Sequence, residues 1–187
     1  SYYVEHQSYN GYFCQKWVNE QSKAKLNSSG NYAVDTYMYY VYPYMRVAEL
    51  YLSYAEADFE YDGTLSDYGY ECLNKIRSRC GLPTFQESWS KAGGIPTGDK
   101  LRDIIRRERS IEFMLEGRRF HDIRRWKIGA ETTKVYGLTI TPQNDGSFSY
   151  MRSVIQQRGW EDRMNFYPIA DAELFKNHNL VQNDGWK

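Results

Sequence analysis

The sequence predicts a mainly α-helical fold with irregular loops and one small β-hairpin. Three stretches, 45–61, 67–80 and 101–126, place apolar side chains three and four residues apart, the spacing of a helix that packs one face on a core. Residues 135–151 instead alternate polar and apolar side chains around a turn, as two paired strands do. A chain of 187 residues can bury a sizeable core, so we expect one domain over residues 1–187.

The first part of the chain carries the weakest pattern. Residues 11–18 alternate enough to form an extended strand or arm, and residues 26–31 read as a polar loop. Residues 37–42, YMYYVY, form a dense aromatic ribbon whose high β-propensity favours an extended lead-in to the helices. Its rings either pack on those helices or offer stacking surfaces to a ligand.

The first two predicted helices have clear ends. The first begins near Pro43 and stops at Asp62-Gly63, because proline suits a first turn and glycine a helix end. Its helically spaced positions are Val47, Leu50, Tyr51, Tyr54, Ala55 and Asp58. The second, 67–80, has Ser66 as its N-cap. Its apolar stripe is Tyr70, Leu73, Ile76 and Cys80. Two helices joined by a short turn predict a tetratricopeptide-like hairpin, although the chain shows no repeat period of its own.

Residues 84–99 predict a loop, since glycine, proline and serine punctuate them, and Asp99 then caps the next helix. The ring of Trp89 in this loop is either pinned into the core or offered to a ligand. The sequence also holds 18 tyrosines, and tyrosine and tryptophan can stack on a ligand while they hydrogen-bond at their polar tips. The candidate ligand-binding residues are therefore Trp89, Tyr37, Tyr39 and Tyr40.

The stretch 101–126 is the part around which the rest is organised. Its core-facing positions are Leu101, Ile104, Ile105, Ile111 and Leu115, and Gly117 can end the helix. Glu108 and Glu112 lie one turn apart on the same apolar face, where unpaired carboxylates are unfavourable. Arg118, Arg119, Arg124 and Arg125 follow on the returning chain and can supply cations, so we predict a structural lattice of ion pairs. Its members are Arg46, Glu49, Arg77, Glu108, Glu112, Arg119 and Arg124.

Two kinds of chemistry compete with this structural interpretation. A glycosidase-type carboxylate pair needs an open cleft and one carboxyl with a raised pKa, whereas the nearby arginines predict that both carboxylates stay ionised. A di-iron site needs Glu-x-x-His on two helices, and the sequence contains no such motif. The three histidines are isolated and no Cys-x-x-Cys occurs, so we expect no metal and no cofactor.

Cysteine and charge place further bounds. Cys72 and Cys80 lie eight positions apart on one predicted helix, about 12 Å of rise and too far for a disulfide, and we read both, with Cys14, as free thiols. Lys plus Arg equals Asp plus Glu, 24 each, so no global field favours nucleic acid or an anionic membrane. No apolar run has the length of a membrane span, and no signal peptide is present.

The run RRERSIEFMLEGRRFHDIRRW resembles the signature of the SusD/RagB family, an Arg-rich helix with E-R-x-I-E-x-x-x-E-G followed by R-F-x-D-x-R-R-W. Residues 46–57 are similar to the family's R-L-A-E-x-Y-L-x-Y-A-E-A helix, and residues 73–83 to its L-N-x-I-R-x-R-A-G-L-P motif. Residues 166–173 and 179–186 resemble its closing motifs, Y-P-I-P-x-x-E and N-P-N-L-x-Q-N-P-G-W. Three positions where prolines are usual differ, namely Ala170, His178 and Asp184.

The resemblance implies a SusD-like fold of which residues 1–187 are the C-terminal portion, with the N-terminal helical-repeat region outside this chain. It implies an outward-facing outer-membrane lipoprotein of polysaccharide utilization, held by a lipid anchor that also lies outside this chain. Such a protein binds a nutrient, usually a glycan, and hands it to a TonB-dependent transporter of the SusC kind. The resemblance implies binding without catalysis, and a peptide ligand, as in RagB-type members, stays open.

Two rival functions remain open from the residues alone. One is a glycoside hydrolase that uses a carboxylate pair. The other is an intracellular helical module that binds protein or RNA, although acidic residues interleave the arginines of 102–125 and neutralise them locally. Turnover of a polysaccharide would favour the first, and strongly salt-dependent RNA binding the second.

Overall fold

The computed structural model describes residues 16, 19, 21, 23–26, 32–36, 38–39 and 41–186, with the backbone alone for 23–26 and 32–36. These residues form mainly helices with small antiparallel hairpins, which confirms the predicted fold class. By its internal contacts the chain divides into two compact units. The helical unit is Tyr39–Arg119, and the mixed unit combines the described residues of Ser1–Met38 and Phe120–Lys187.

The elements have the following bounds. The helices are α1 (Val47–Asp62), α2 (Asp67–Arg79), α3 (Phe85–Lys91), α4 (Gly98–Glu112), α5 (Arg118–Arg125) and α6 (Asp171–Lys176). The strands are β1 (Lys23–Leu26), β2 (Tyr32–Thr36), β3 (Lys134–Pro142) and β4 (Phe148–Gln157). Both β1 with β2 and β3 with β4 pair antiparallel. Single 3-10 turns lie at Gly129–Thr132 and Asp162–Asn165.

The core of the helical unit lies where α1 packs on α2 and α4, and where α2 packs on α3. Phe59 and Leu52 of α1 and Phe85 of α3 are its largest fully buried side chains, together with Leu73 and Ile105. Burial of side chains of this size contributes about 1.5–3 kcal/mol each, so this contact supplies much of the unit's stability. The helix, turn, helix arrangement of α1 and α2 confirms the predicted hairpin.

The ends of the hairpin follow the capping rules. Gly63 closes α1 in the left-handed region at φ 71°, and its N–H donates to the Phe59 carbonyl at 2.8 Å. Ser66 opens α2, where its Oγ accepts from the Gly69 N–H at 3.1 Å. A carboxylate oxygen of Asp58 accepts from the Ser66 N–H at 2.7 Å and holds the turn. The predicted end of α1 and start of α2 are confirmed, whereas α1 begins at Val47 and not near Pro43 as predicted.

The predicted apolar face of α1 is only partly correct: Ala55 is buried and Tyr51 packs against the core, whereas Val47, Leu50 and Tyr54 are exposed. Its buried positions are Ala48, Leu52, Ala55, Glu56 and Phe59. Val47 and Leu50 are 60% and 64% exposed. The helix has apolar residues on more than one side, and the face that buries Leu52 and Phe59 also presents small alanines, which let the neighbouring helices approach closely.

A similar correction applies to the second stripe. Cys80, predicted to be buried, is exposed at the C-cap of α2, and Cys72 is buried instead. Cys80 follows the last helical residue, so its side chain no longer continues the stripe of Leu73 and Ile76. Cys72 and Cys80 are both free thiols, while Cys14 lies outside the described residues.

The helix of the central stretch ends at Glu112, one turn earlier than the predicted end at Gly117. Ile111 and Leu115 are 65% and 54% exposed, so the predicted face holds over Leu101, Ile104 and Ile105 but fails beyond them. Phe113 is buried there instead, under the guanidinium groups of Arg46 and Arg109, whose Cζ atoms lie 5.2 and 5.0 Å from the ring centroid.

The N-terminal end of α4 also differs from the prediction. Thr97 occupies the N-cap position without a side-chain cap bond, and Asp99 lies in the first turn, where it pairs with Arg102. A carboxylate in the first turn still complements the positive end of the helix dipole.

Residues 84–99 contain a helix, α3, where the sequence predicted a loop. Thr84 and Glu87 form a capping box: Thr84 Oγ1 accepts from the Glu87 N–H at 3.2 Å, and Glu87 Oε2 accepts from the Thr84 N–H at 2.9 Å. Asn74 adds a further cap, because its Oδ1 accepts from the Phe85 N–H at 2.7 Å.

The predicted β-hairpin is confirmed and longer than expected, since β3 and β4 run nine and ten residues. Its turn is held by Asp145, whose Oδ1 accepts from the Ser147 N–H at 2.9 Å. The β1 and β2 hairpin was not predicted. The expected strand at 11–18 lies outside the described residues, apart from Lys16 in a turn.

Candidate functional site

Charged side chains of the helical unit form an ion-pair cluster that we call the arginine network. Its members are Arg46, Arg77, Arg79, Arg109 and Arg118 with Glu49, Glu108, Glu112 and Glu116. They come from α1, α2, α4 and the residues that flank these helices. Because α1, α2 and α4 pack on one core, their charged residues converge near the end of α4.

Glu112 is a buried carboxylate of the network, with 8% of its side chain exposed. Its Oε1 accepts from Arg46 at 2.6 Å, and Arg79 Nη2 lies 2.8 and 2.7 Å from its two oxygens. Burial alone would raise the pKa of this carboxyl, but the hydrogen bonds from Arg79 and Arg46 outweigh burial and hold the pKa below its ordinary value. Glu112 is therefore ionised at neutral pH.

Arg46 bridges two carboxylates from its position just before α1. Its Nε and Nη2 donate to the two oxygens of Glu116 at 3.0 and 2.6 Å, the fork geometry of a bidentate pair. The hydrogen bond with Glu116 is the largest cause of a raised pKa at Arg46, opposed by burial and reinforced by Glu112. The pair fixes the turn after α4 to the start of α1.

Arg77 joins three elements through one guanidinium group. It pairs with Glu108 of α4, donates to the Pro83 carbonyl at 2.9 Å and donates to Ser88 Oγ of α3 at 2.7 Å. Glu49 of α1 lies 2.9 Å from Arg118, at the start of α5. These contacts leave Glu108 and Glu49 each with a cationic partner.

The structure brings together five of the predicted lattice residues. These are Arg46, Glu49, Arg77, Glu108 and Glu112. Arg119 donates to Ser110 Oγ at 2.8 Å. Arg124 belongs to the mixed unit and makes no ion pair within the described residues; it stacks on Phe120 instead.

Sequence reasoning missed three members of the network, namely Arg79, Arg109 and Glu116. Arg118 was among the arginines expected to supply cations, and it pairs with Glu49. The spacing of Glu116, one turn beyond Glu112, was a usable signal. Arg109 was harder to predict. It lies on the core side of a helix and is 6% exposed, whereas arginines are usually at the surface.

The candidate ligand-binding rings fall in different settings. Trp89 is half-buried on α3, where it packs against the core and its ring centroid lies 6.2 Å from that of Phe85. Tyr39 is 94% exposed. Tyr37 and Tyr40 lie outside the described residues.

Among the described residues of the mixed unit lie two clefts that sequence reasoning did not single out. The larger, about 430 Å³, is lined by Lys127, Asp162, Arg163, Asn165 and Phe166, with Asp184 and Gly185. Its lining carries both charges beside one aromatic ring. The Oδ1 of Asn165 is buried without a hydrogen-bond partner within the described residues, so this acceptor is unsatisfied.

The smaller cleft, about 240 Å³, we call the aromatic cleft. Its lining includes Phe120, Arg124, Thr132, Thr133, Arg158 and Trp160. Gly129 sets its floor, since a Cβ at this position would lie 1.9 Å from the Trp160 ring. Only glycine admits the ring so closely. An isolated Trp-Gly pairing of this kind leaves no spacing signal in the sequence.

The described residues contain neither a metal-binding cluster nor a helix that could span a membrane. No group of three or more His, Cys, Asp or Glu side chains within the described ranges is placed to hold a metal ion. Among the helices of this part of the chain, none combines the length and the apolar character needed to cross a membrane.

Comparison with known proteins gives a consistent assignment. The family model described as the SusD family matches residues 4–186. The chain is 31% identical over 140 residues to SusD-like protein P2 of Formosa agariphila, an alignment that covers 75% of this chain and 25% of that protein. It is 29% identical over 172 residues to the starch-binding protein SusD of Bacteroides thetaiotaomicron, covering 92% of this chain and 25% of that protein.

A solved structure supports the same assignment at the level of the fold. The crystal structure of a SusD-like protein from Bacteroides fragilis is 36% identical, with a TM-score of 0.58, and the match covers 76% of this chain and 25% of that one. The chain thus spans about a quarter of the length of the relatives it matches. Many of the residues that carried the resemblance, Arg46, Arg77, Glu108 and Glu112 among them, build the arginine network. The chain belongs to the SusD/RagB family.

Proposed function

We propose that this chain is part of a protein that binds a glycan at the outer-membrane surface and passes it on without catalysis. The observation that carries the proposal is the family match over residues 4–186, which includes a relative named for starch binding. The chain contributes a rigid helical scaffold, in which the arginine network joins the helices, and exposed rings and clefts that can contact sugar.

The geometry of the carboxylates supports binding over hydrolysis. A glycosidase needs two carboxyls that face the same cleft, one of them protonated near neutral pH. Glu108 and Glu112 instead both accept from arginines, and the pKa of Glu112 is lowered. We therefore expect the purified chain to release no reducing ends from any polysaccharide to which it binds.

Glycan binding is tested by affinity gel electrophoresis, in which a polysaccharide in the gel retards a protein that binds it. We expect retardation by at least one member of a panel of plant, algal and starch polysaccharides. The proposal would be contradicted if the chain migrated unretarded through every gel and also bound no member of a panel of peptides in a parallel titration.

Among the candidate rings, Tyr39 is the more accessible and Trp89 the more enclosed. We propose that Tyr39, with Tyr37 and Tyr40, offers stacking surface, because ring stacking contributes about 0.5–1.5 kcal/mol when the ring is presented in advance. Tyr39→Ala is expected to reduce retardation two- to tenfold. Tyr61→Ala is the matched control, since Tyr61 is 88% exposed at the far end of α1.

Trp89→Ala separates two roles of one ring. A binding role predicts lower affinity at unchanged stability, whereas the packing of Trp89 on Phe85 predicts a lower midpoint of thermal unfolding. Measuring both quantities on the same variant decides which role the ring has.

The partner and location follow the family and are also proposals. We propose a lipid-anchored protein on the outer face of the outer membrane, which delivers its ligand to a TonB-dependent transporter of the SusC kind. Accessibility of the protein to external protease on intact cells, and its co-purification with a plug-and-barrel transporter encoded beside it, are the expected results. Recovery in the cytoplasmic fraction alone would contradict this location.

A further inference from the structure

We infer that the aromatic cleft of the mixed unit binds an anionic sugar unit, one that carries a carboxylate or a sulfate ester. The inference rests on the proposed glycan binding and names the chemical class of one bound residue. Two arginines line the cleft beside aromatic rings, and its volume of about 240 Å³ suits one sugar unit.

The two arginines of the aromatic cleft are not neutralised by acidic neighbours. Neither Arg124 nor Arg158 makes an ion pair within the described part of the chain, and no Asp or Glu is among the described residues that line the cleft. Arg158 makes one long side-chain contact, to the Gln156 amide oxygen at 3.5 Å. This setting contrasts with the arginine network, where each guanidinium faces a carboxylate. The cleft therefore carries a net positive charge that favours an anion.

Arg124 is held in place by rings and by its own backbone. Its Cζ lies 3.5 Å from the Phe120 centroid and 5.5 Å from that of Trp160, and its Nη1 donates to the Phe120 carbonyl at 2.9 Å. Its Nε is buried without a hydrogen-bond partner among the described residues. A guanidinium fixed in this way loses little conformational entropy when it pairs with an oxyanion.

The remaining lining suits the rest of a sugar ring. Trp160, seated against Gly129, presents an aromatic surface on which the apolar C–H face of a pyranose can stack. The hydroxyls of Thr132 and Thr133 donate to the carbonyls of Gly129 and Ala130 at 2.8 and 3.0 Å. Their oxygens keep lone pairs that can accept from sugar hydroxyls.

The size of the aromatic cleft sets the extent of the ligand. Its volume of about 240 Å³ is below the range of roughly 300–1,000 Å³ that is usual for drug-sized ligands. It holds one sugar unit of a longer chain, whose neighbours would continue along the surface.

The test compares charged and neutral glycans on the intact chain. Affinity gels contain polygalacturonate or alginate as carboxylate ligands, carrageenan as a sulfate ester ligand, and fully methyl-esterified pectin or galactan as neutral counterparts. We expect stronger retardation by at least one charged polymer, with affinity that falls as salt rises. The carboxylate and sulfate arms show which anion the cleft takes.

Two arginine variants assign the effect to the cleft. Arg158→Gln is expected to weaken binding of the charged polymer about tenfold, the loss of one charge-assisted hydrogen bond, and Arg158→Lys to restore part of it. Arg152→Gln is the charge-matched control, because Arg152 is exposed on β4 and lies over the Tyr136 ring, outside the cleft lining. It is expected to bind as the unchanged chain does.

The outcomes separate this inference from the proposed function. Retardation by neutral polymers and by none of the charged ones overturns the inference and leaves glycan binding standing. Equal losses in Arg158→Gln and Arg152→Gln also overturn it, since charge anywhere on the unit would then suffice. Absence of retardation in every gel overturns both.

Discussion

Glu112 shows how a carboxylate is kept charged inside a helical core. Burial disfavours the charged form, while two guanidinium groups favour it, and the net result is a lowered pKa. Removing one partner of such a buried pair leaves the other charge uncompensated. The residue is therefore more sensitive to substitution than its lack of catalytic chemistry suggests.

Glu112→Gln is expected to lower the free energy of unfolding of the helical unit by about 3 kcal/mol, since Arg46 and Arg79 lose the negative charge that both of them face. Urea unfolding followed by circular dichroism measures the change. The matched control is Glu71→Gln, which removes an exposed pair with Lys75 on α2 and is expected to change stability by less than about 0.5 kcal/mol. Equal losses in the two variants would contradict the central place of Glu112.

The lowered pKa of Glu112 also predicts a pH dependence. The folded pKa lies below the ordinary value of 4.5, so in the window between them the unfolded chain binds more protons and stability rises with pH. The contribution is fully present above about pH 4.5 and is lost as the pH falls through the folded pKa. The stability difference between the unchanged chain and Glu112→Gln should therefore shrink as the pH is lowered from 6 toward 3. A difference that stays constant over this range would contradict the lowered pKa.

At the scale of single elements, α3 shows that a capping box is enough to start a short helix. The segment is short, and the T-x-x-E pattern of its capping box outweighs the glycines and proline that follow it. Those later residues mark the end of the helix and not its start, so they do not argue against a helix in this segment.

Thr84→Ala removes both the hydroxyl that accepts from the Glu87 N–H and one partner of the Glu87 carboxylate, whose pKa is lowered mainly by its hydrogen bond from the Thr84 side chain. We expect a loss of about 1 kcal/mol and faster hydrogen exchange in α3. Thr97→Ala is the control at a cap position without a side-chain bond, where the loss should be small. Similar losses at both positions would show that the capping box contributes little.

The floor of the aromatic cleft gives a second prediction at this scale. Gly129→Ala places a Cβ within 1.9–2.3 Å of the Trp160 ring, so the ring must move and the cleft must change shape. We expect a loss of about 1–3 kcal/mol in stability and an altered tryptophan emission spectrum. Gly159→Ala, beside the same tryptophan but with open space around its Cβ, should be neutral.

The whole molecule shows where sequence reasoning succeeds and where it fails. The helices α1, α2 and α4, the caps at Gly63 and Ser66 and the longer hairpin were predictable, because periodicity and turn residues are local signals. The buried face of α1 and the early end of α4 were not predictable. Phe59 and Phe113 are buried there by contacts with residues that are distant in sequence. Glu108 and Glu112 of the arginine network were predictable from an apolar helix face, whereas Glu116 was missed and a partner such as Arg79 required the packing itself.

The charge balance of the whole chain argues against one rival function, RNA binding. With 24 basic and 24 acidic residues, and with the α2 arginines Arg77 and Arg79 paired to glutamates of α4, little counterion release is available on binding a polyanionic strand. We expect no binding of single-stranded RNA by fluorescence anisotropy even at about 50 mM salt. Tight binding that weakens steeply with added salt would revive the RNA-binding alternative.

The two described thiols differ in exposure, so their labelling rates can report the opening of the helical unit. Cys80 is exposed beside Arg79, whereas Cys72 is buried and its thiol pKa is raised by that burial. In a Cys14→Ser background, a maleimide dye would label Cys80 at once and reach Cys72 only when α2 parts from the core. The second labelling rate would then time the opening of the unit under native conditions, without denaturant.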